Sequence, residues 1–125
     1  MTRVLIADDE DSMRTLVARA VAMDGHETVT AEDGAEALEI LNREDGAFDL
    51  LLTDIKMPVM DGIALALTAA RDFPDLTILL MTGFADQRER AHGLNAIVHD
   101  VVTKPFSVAD IRTAVADALA VRKKG

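Results

Sequence analysis

Three carboxylates, a hydroxyl and an ammonium stand in this 125-residue chain where short apolar runs end. Asp8 and Asp9 follow Val4 to Ala7, Asp54 follows Leu50 to Thr53, Thr82 follows Thr77 to Met81, and Lys104 comes just after Ile97 to Val102. In an open parallel sheet, ligands gather outside the carboxyl ends of the strands, where strand order reverses. These residues are therefore expected at one sheet edge. Taken singly, an Asp at such a position commonly caps a helix or closes a turn. Three acids arriving from two strands repel one another, and a hard cation resolves that repulsion. Mg2+ suits a site of one or two carboxylates, waters and phosphate oxygens. Thr82 and Lys104 add groups that bind phosphate oxygens, so the chemistry indicated is metal-assisted handling of a phosphoryl group.

The elements that must position these residues are legible as alternating periods. Short runs rich in Val, Ile and Leu predict five strands, at Val4 to Ala7, Glu27 to Thr30, Leu50 to Thr53, Thr77 to Met81 and Ile97 to Val102. Between them lie segments of helical period. The first helix carries Met13, Leu16, Val17, Ala20 and Val21, is expected to start near Asp11 or Ser12, and stops at Gly25. A second runs from about Gly34 to Asn42, and a third follows Asp61-Gly62 and ends before Pro74. A short or irregular fourth helix, Asp86 to about His92, is interrupted by Gly93-Leu94-Asn95. The last opens at Ser107 with Val108, Ile111, Val115, Ala118 and Leu119 on one stripe and finishes in Arg122-Lys123-Lys124. The expected architecture is one α/β domain over residues 1–125, a doubly wound (βα)5 with a central five-stranded parallel sheet.

Composition narrows the function. Half the residues are apolar, enough for a core, and there is no cysteine, which removes disulfide scaffolds, thiol catalysis and Cys-based zinc sites and fits a cytoplasmic address. A net charge of −9 repels a phosphate backbone, and the chain has no Trp or Tyr and only four Phe to stack on bases. Nucleic acid and membrane insertion are not expected. His26, His92 and His99 lie too far apart to form a ligand set and read as surface or turn residues, while the Met residues read as core filler or, for Met57 and Met60, as part of the loop after Asp54.

Taken together, Val4-Leu5-Ile6-Ala7-Asp8-Asp9-Glu10, Asp54-Ile55-Lys56-Met57-Pro58-Val59-Met60-Asp61-Gly62, Met81-Thr82-Gly83 and Thr103-Lys104-Pro105-Phe106 resemble the receiver domains of two-component response regulators, of flavodoxin-like fold. The resemblance spans essentially the whole chain. It implies that Asp54 is the phosphoacceptor, taking a phosphoryl group from a histidine kinase or histidine phosphotransfer protein. Asp9, Asp54 and the backbone carbonyl of Lys56 would hold Mg2+, for which Mn2+ could substitute, with Asp8 acting through water. Thr82 would bond a phosphoryl oxygen and Lys104 would offset its charge. Pro105 would follow a cis peptide that turns Lys104 into the site. Such a chain is a self-phosphorylating switch rather than an enzyme on other substrates. No output domain is expected after it, so its signal would pass to a protein target through the face of the fourth helix, fifth strand and fifth helix.

Two departures bear on signalling. Many receivers carry an aromatic residue three positions before the lysine, and here that position is Val101. Phe84, two residues beyond Thr82, is the nearest candidate substitute, and Lys56 and Phe84 occupy positions that tune hydrolysis of the aspartyl phosphate in the family. Asn95-Ala96-Ile97-Val98 replaces the usual Gly-Ala turn, which suggests that phosphorylation orders this region. Within the class, phosphate relay competes with binding a target in one phosphorylation state, as single-domain protease adaptors do. Outside it, a phosphohydrolase of the haloacid-dehalogenase type would put Asp-x-Asp on its first strand, and a dinucleotide-binding domain would need glycines after Ala7. Neither pattern is present.

Overall fold

Runs of Val, Leu and Ile too short for a helix lie side by side in one parallel sheet, and the longer amphipathic segments cover both of its faces. The computed structural model describes residues 2–83 and 93–124, with side chains as far as residue 121. Its strands are β1 (Arg3–Ala7), β2 (Glu27–Ala31), β3 (Leu50–Asp54), β4 (Thr77–Thr82) and β5 (Asp100–Thr103). Its helices are α1 (Asp11–Ala22), α2 (Gly34–Arg43), α3 (Gly62–Asp72) and α4 (Val108–Lys124). Phe84 and the short helix expected at 86–92 lie outside the described residues. The sheet order is β2-β1-β3-β4-β5, all parallel, so the order reverses between β1 and β3. This is the doubly wound, flavodoxin-like arrangement.

Alternation along the strands builds two cores. Leu5, Ala7, Leu51, Ile78 and Leu80 face α2 and α3, where Leu41, Leu65 and Ala69 meet them. Val4, Ile6, Leu50, Leu52, Leu79 and Met81 face the other way, against Val17 and Val21 of α1 and Ile111 and Val115 of α4. Every residue of β3 is buried, so this strand is apolar on both faces, and each of its leucines contributes about 2 kcal/mol by leaving water. At the opposite pole from the strand ends, Arg3 ties β1 down. Its guanidinium reaches Glu27, Glu44 and the Ala47 carbonyl and lies 4.4 Å from the Phe48 ring centre.

Helix starts follow capping chemistry. Asp33 accepts from the Glu36 N–H, and Asp61 accepts from the Ala64 N–H at 2.8 Å. Ser107 and Asp110 exchange reciprocal bonds at the start of α4, as the sequence predicts. At α1 the expected cap moves. Glu10 occupies the N-cap position without a side-chain cap bond, and Asp11 is the first helical residue, where its charge complements the helix dipole.

The fifth strand also differs from expectation, running Asp100–Thr103 rather than 97 to 102. The N–H groups of Ile97 and Val98 both donate to the Leu94 carbonyl, closing a turn. Their apolarity serves the core instead, since Val98 is buried there and Ile97 packs against it. Just before β5, His99 Nε2 lies 3.0 Å from Asp117 Oδ2 on α4.

Candidate functional site

β1 and β3 are neighbours in register, Ala7 opposite Thr53, so Asp8 and Asp54 emerge side by side although 46 positions apart in sequence. Asp9 follows at the rim. One carboxylate oxygen from each of Asp8, Asp9 and Asp54 lies within 4.8 Å of the others. Asp8 and Asp54 are buried and Asp9 is exposed. The arrangement is an acidic pocket with two dry walls and one wet lip.

Lys104 supplies the opposite charge. Pairing of β4 with β5 sets Thr82 beside Thr103, and the Lys104 N–H donates to the Thr82 carbonyl at 2.7 Å. The Lys104–Pro105 peptide is cis. Lys104 Nζ lies 3.2 Å from Asp54 Oδ1 and 4.0 Å from Asp8 Oδ2. Thr82 is fully buried at the same sheet edge.

Burial dominates the electrostatics. Desolvation pushes Asp8 up to about 6, against the opposing pull of the Glu10 N–H that donates to its Oδ1 at 2.9 Å. Desolvation also raises Asp54, and the adjacent Lys104 ammonium only partly offsets it. Asp8 Oδ2 is fully enclosed and has no hydrogen-bond partner. A carboxylate with such an oxygen, grouped within 4.8 Å of oxygens from two further carboxylates, fits a hard divalent cation or its bound water. Asp8, Asp9 and Asp54 therefore offer the donor set that Mg2+ takes.

The loop from Asp54 to α3 is drawn tightly back onto the strand it leaves. The Gly62 N–H donates to the Ile55 carbonyl at 2.8 Å, and the Gly34 N–H at the start of α2 donates to the Met60 carbonyl at 3.2 Å. A Cβ at position 62 would sit 2.0 Å from the Asp54 carbonyl oxygen and 2.9 Å from Ile55 Cα. Only backbone movement could relieve that clash, so Gly62→Ala is expected to destabilise the fold by about 3 kcal/mol, read by urea denaturation. At the tip of this loop the Met60 N–H donates to the Pro58 carbonyl at 2.7 Å, closing a γ-turn with Val59 at φ 69°. A β-branched residue in that region carries strain of about 1–3 kcal/mol, and the side chain is 85% exposed.

The sequence profile of the response regulator receiver domain matches residues 4–116. The chain belongs to that family. A receiver relative, the response regulator receiver protein CpdR of Brucella abortus (strain 2308), is 40% identical over 111 residues, covering 89% of this chain and 91% of that protein. Regulatory protein AtoC of Escherichia coli (strain K12) is 38% identical over 120 residues, 95% of this chain but only 25% of AtoC. The receiver fold superposes on the response regulator TrrA of Thermotoga maritima, solved in complex with Mg(2+)-BeF, with a TM-score of 0.83, 30% identity and coverage of 95% and 100% of the two chains.

Within this receiver domain, Asp8, Asp9, Asp54, Thr82 and Lys104 share one sheet edge. Lys56 lies on the loop directly after Asp54 with its side chain exposed, and Val101 is half-buried on β5. Arg14 is a supporting residue that sequence reading missed. Its guanidinium donates to the Asp8 carbonyl at 2.8 Å while also meeting Asp11, which fixes the backbone carrying the acidic pair. The spacing from Asp11 to Arg14, one helical turn, was its available signal. No described helix is long and apolar enough to cross a membrane.

Proposed function

We propose that Asp54 accepts a phosphoryl group from the phosphohistidine of a kinase or phosphotransfer protein in a Mg2+-dependent step in the cytoplasm. A carboxylate oxygen of Asp54 attacks phosphorus, the P–N bond to the imidazole breaks, and the imidazole leaves with the bonding pair and takes up a proton. The observation that carries this reading is the meeting of Asp54 with Lys104 at 3.2 Å inside an acidic pocket whose buried Asp8 oxygen has no partner.

Mg2+ held by Asp9, Asp54 and the Lys56 carbonyl, with Asp8 acting through water, would neutralise charge developing on the phosphoryl oxygens. Lys104 stands where it can pair with one of those oxygens once Asp54 has spent its own charge on the bond to phosphorus. Thr82, buried at the end of β4, is positioned to bond another. The solved Mg(2+)-BeF complex of TrrA supports the same loading here. The signal would leave through protein contacts on the face of β5, α4 and the segment before β5, where Val101 replaces an aromatic side chain and Phe84 is the candidate substitute.

Acetyl phosphate tests this without a protein donor. With Mg2+, intact-mass spectrometry is expected to show one added phosphoryl group, labile to hydroxylamine as an acyl phosphate is. Excess EDTA should prevent the addition. An unmodified chain in the presence of Mg2+ would overturn the reading.

A further inference from the structure

Of the two acids that follow β1, one is firmly held and the other is not. Asp8 is tied at three points, its N–H donating to the Ala31 carbonyl at 3.1 Å, its Oδ1 accepting from the Glu10 N–H at 2.9 Å and its carbonyl accepting from the Arg14 guanidinium at 2.8 Å. Asp9 is exposed and makes no hydrogen bond of its own among the described residues. One of its carboxylate oxygens nevertheless stands within 4.8 Å of oxygens of Asp8 and Asp54, where like charges push it outward. The restraint on Asp9 therefore comes through its backbone. The Asp8 carbonyl and the Asp9 N–H belong to one planar peptide, so a bond that fixes the carbonyl also fixes the plane from which Asp9 projects.

Arg14 makes that bond from the first turn of α1, with a side chain only 16% exposed. Asp11 holds another arm of its guanidinium, and Glu32 lies 3.8 Å away in the segment after β2. These two acids aim the fork at the Asp8 carbonyl. They also offset a positive charge that would otherwise oppose a cation in the neighbouring pocket.

We infer that Arg14 is a positioning residue for the cation: through the Asp8–Asp9 peptide it keeps the Asp9 carboxylate beside Asp54, and so sets the affinity of the pocket for Mg2+. This rests on the reading that the three acids take up Mg2+. The sign of the effect separates positioning from charge. Were Arg14 to act through its charge alone, its removal would tighten Mg2+ binding, because one positive group would leave the neighbourhood. Loss of the positioning bond weakens binding instead, and removing a group that orients a metal ligand costs about tenfold or more in affinity.

Isothermal titration calorimetry with Mg2+ tests this on the folded, metal-free chain. Arg14→Met keeps the apolar stem and loses every donor, and its Kd is expected to rise about tenfold. Arg14→Lys keeps the charge and one donor but loses the fork. It is expected to bind about threefold more weakly than wild type, and it supplies the reading if Arg14→Met does not fold. Arg3→Met is the control for general loosening, because it cuts the ties of β1 to Glu27, Glu44 and the Ala47 carbonyl at the opposite pole. It should lower the melting temperature and leave the Mg2+ Kd within about twofold of wild type. Binding as tight as wild type or tighter in Arg14→Met, or in Arg14→Lys where that is the folded variant, would overturn the inference. So would an equal loss of affinity in Arg3→Met. Either result leaves the metal reading intact, whereas a wild-type chain without saturable Mg2+ binding would overturn both.

Discussion

Asp54→Ala is expected to abolish phosphoryl uptake from acetyl phosphate completely while leaving the protein folded. Asp54 has its carboxylate 3.2 Å from the Lys104 ammonium and lies one strand away from the two acids that follow β1. Asp8 cannot take over, because its Oδ2 is enclosed and its Oδ1 is committed to the Glu10 N–H. Asp9 is exposed at the lip. Stability should survive the change, since desolvation of the Asp54 carboxyl opposes folding more than its pairing with Lys104 favours it. Intact mass after treatment with Mg2+ and acetyl phosphate reads the first point, and circular dichroism during heating reads the second. A phosphorylated Asp54→Ala protein would refute the assignment.

Asp8→Asn should make the metal-free protein more stable above pH 6 and no more stable at pH 4. Burial pushes the Asp8 carboxyl from 3.8 up to about 6. A carboxyl whose folded value is raised holds its proton more tightly when folded, so its contribution is full below about pH 4 and is lost as pH rises through about 6. Above that window the fold carries an ionised, enclosed oxygen with no hydrogen-bond partner and only the Lys104 ammonium, 4.0 Å away, to offset it. Asn keeps an oxygen to accept from the Glu10 N–H and removes the charge, a gain of about 2 kcal/mol, or roughly 8 °C in melting temperature. The same substitution takes away one of the three acids that favour a cation. Added Mg2+ should then stabilise the variant less than the wild type, reversing part of the difference. Thermal melts at pH 4 and pH 8, with and without Mg2+, separate the two effects. A variant less stable than wild type at pH 8 in EDTA would contradict the account.

The strand ends were legible because parallel strands buried on both faces read as unbroken apolar runs, and the first polar residue after each run marks the sheet edge. That logic places Asp8, Asp54 and Thr82 directly. It fails at Ile97 and Val98, which are equally apolar but fold a turn against the core, since a run of that length does not say whether it pairs with a strand or packs beneath one. Helix caps were legible where Asp61 and Ser107 precede a periodic segment. The start of α1 was less so, because four acids in succession, Asp8 to Asp11, offer competing caps and the fold uses Asp8 to hold the Glu10 N–H. Val59 carried no signal at all, since nothing in a valine announces a left-handed turn. Its conformation comes from glycines at positions 34 and 62, whose close approaches appear only once the chain has folded. Arg14, likewise, shows its bond to the Asp8 carbonyl only in three dimensions.

The strand order has a consequence for how the pocket can fail. β5 is an edge strand joined to the sheet through β4 alone, whereas β1 and β3 lie inside it. An outward breath of that edge would carry Lys104 away and leave Asp8, Asp9 and Asp54 crowded together without its charge. The acids would still be assembled, the core beneath them would still be dry, and Asp54 would lie idle. Peeling of one short strand, far less than global unfolding, would therefore separate Lys104 from Asp54, and a ligand gripping both would act as a rivet across that seam.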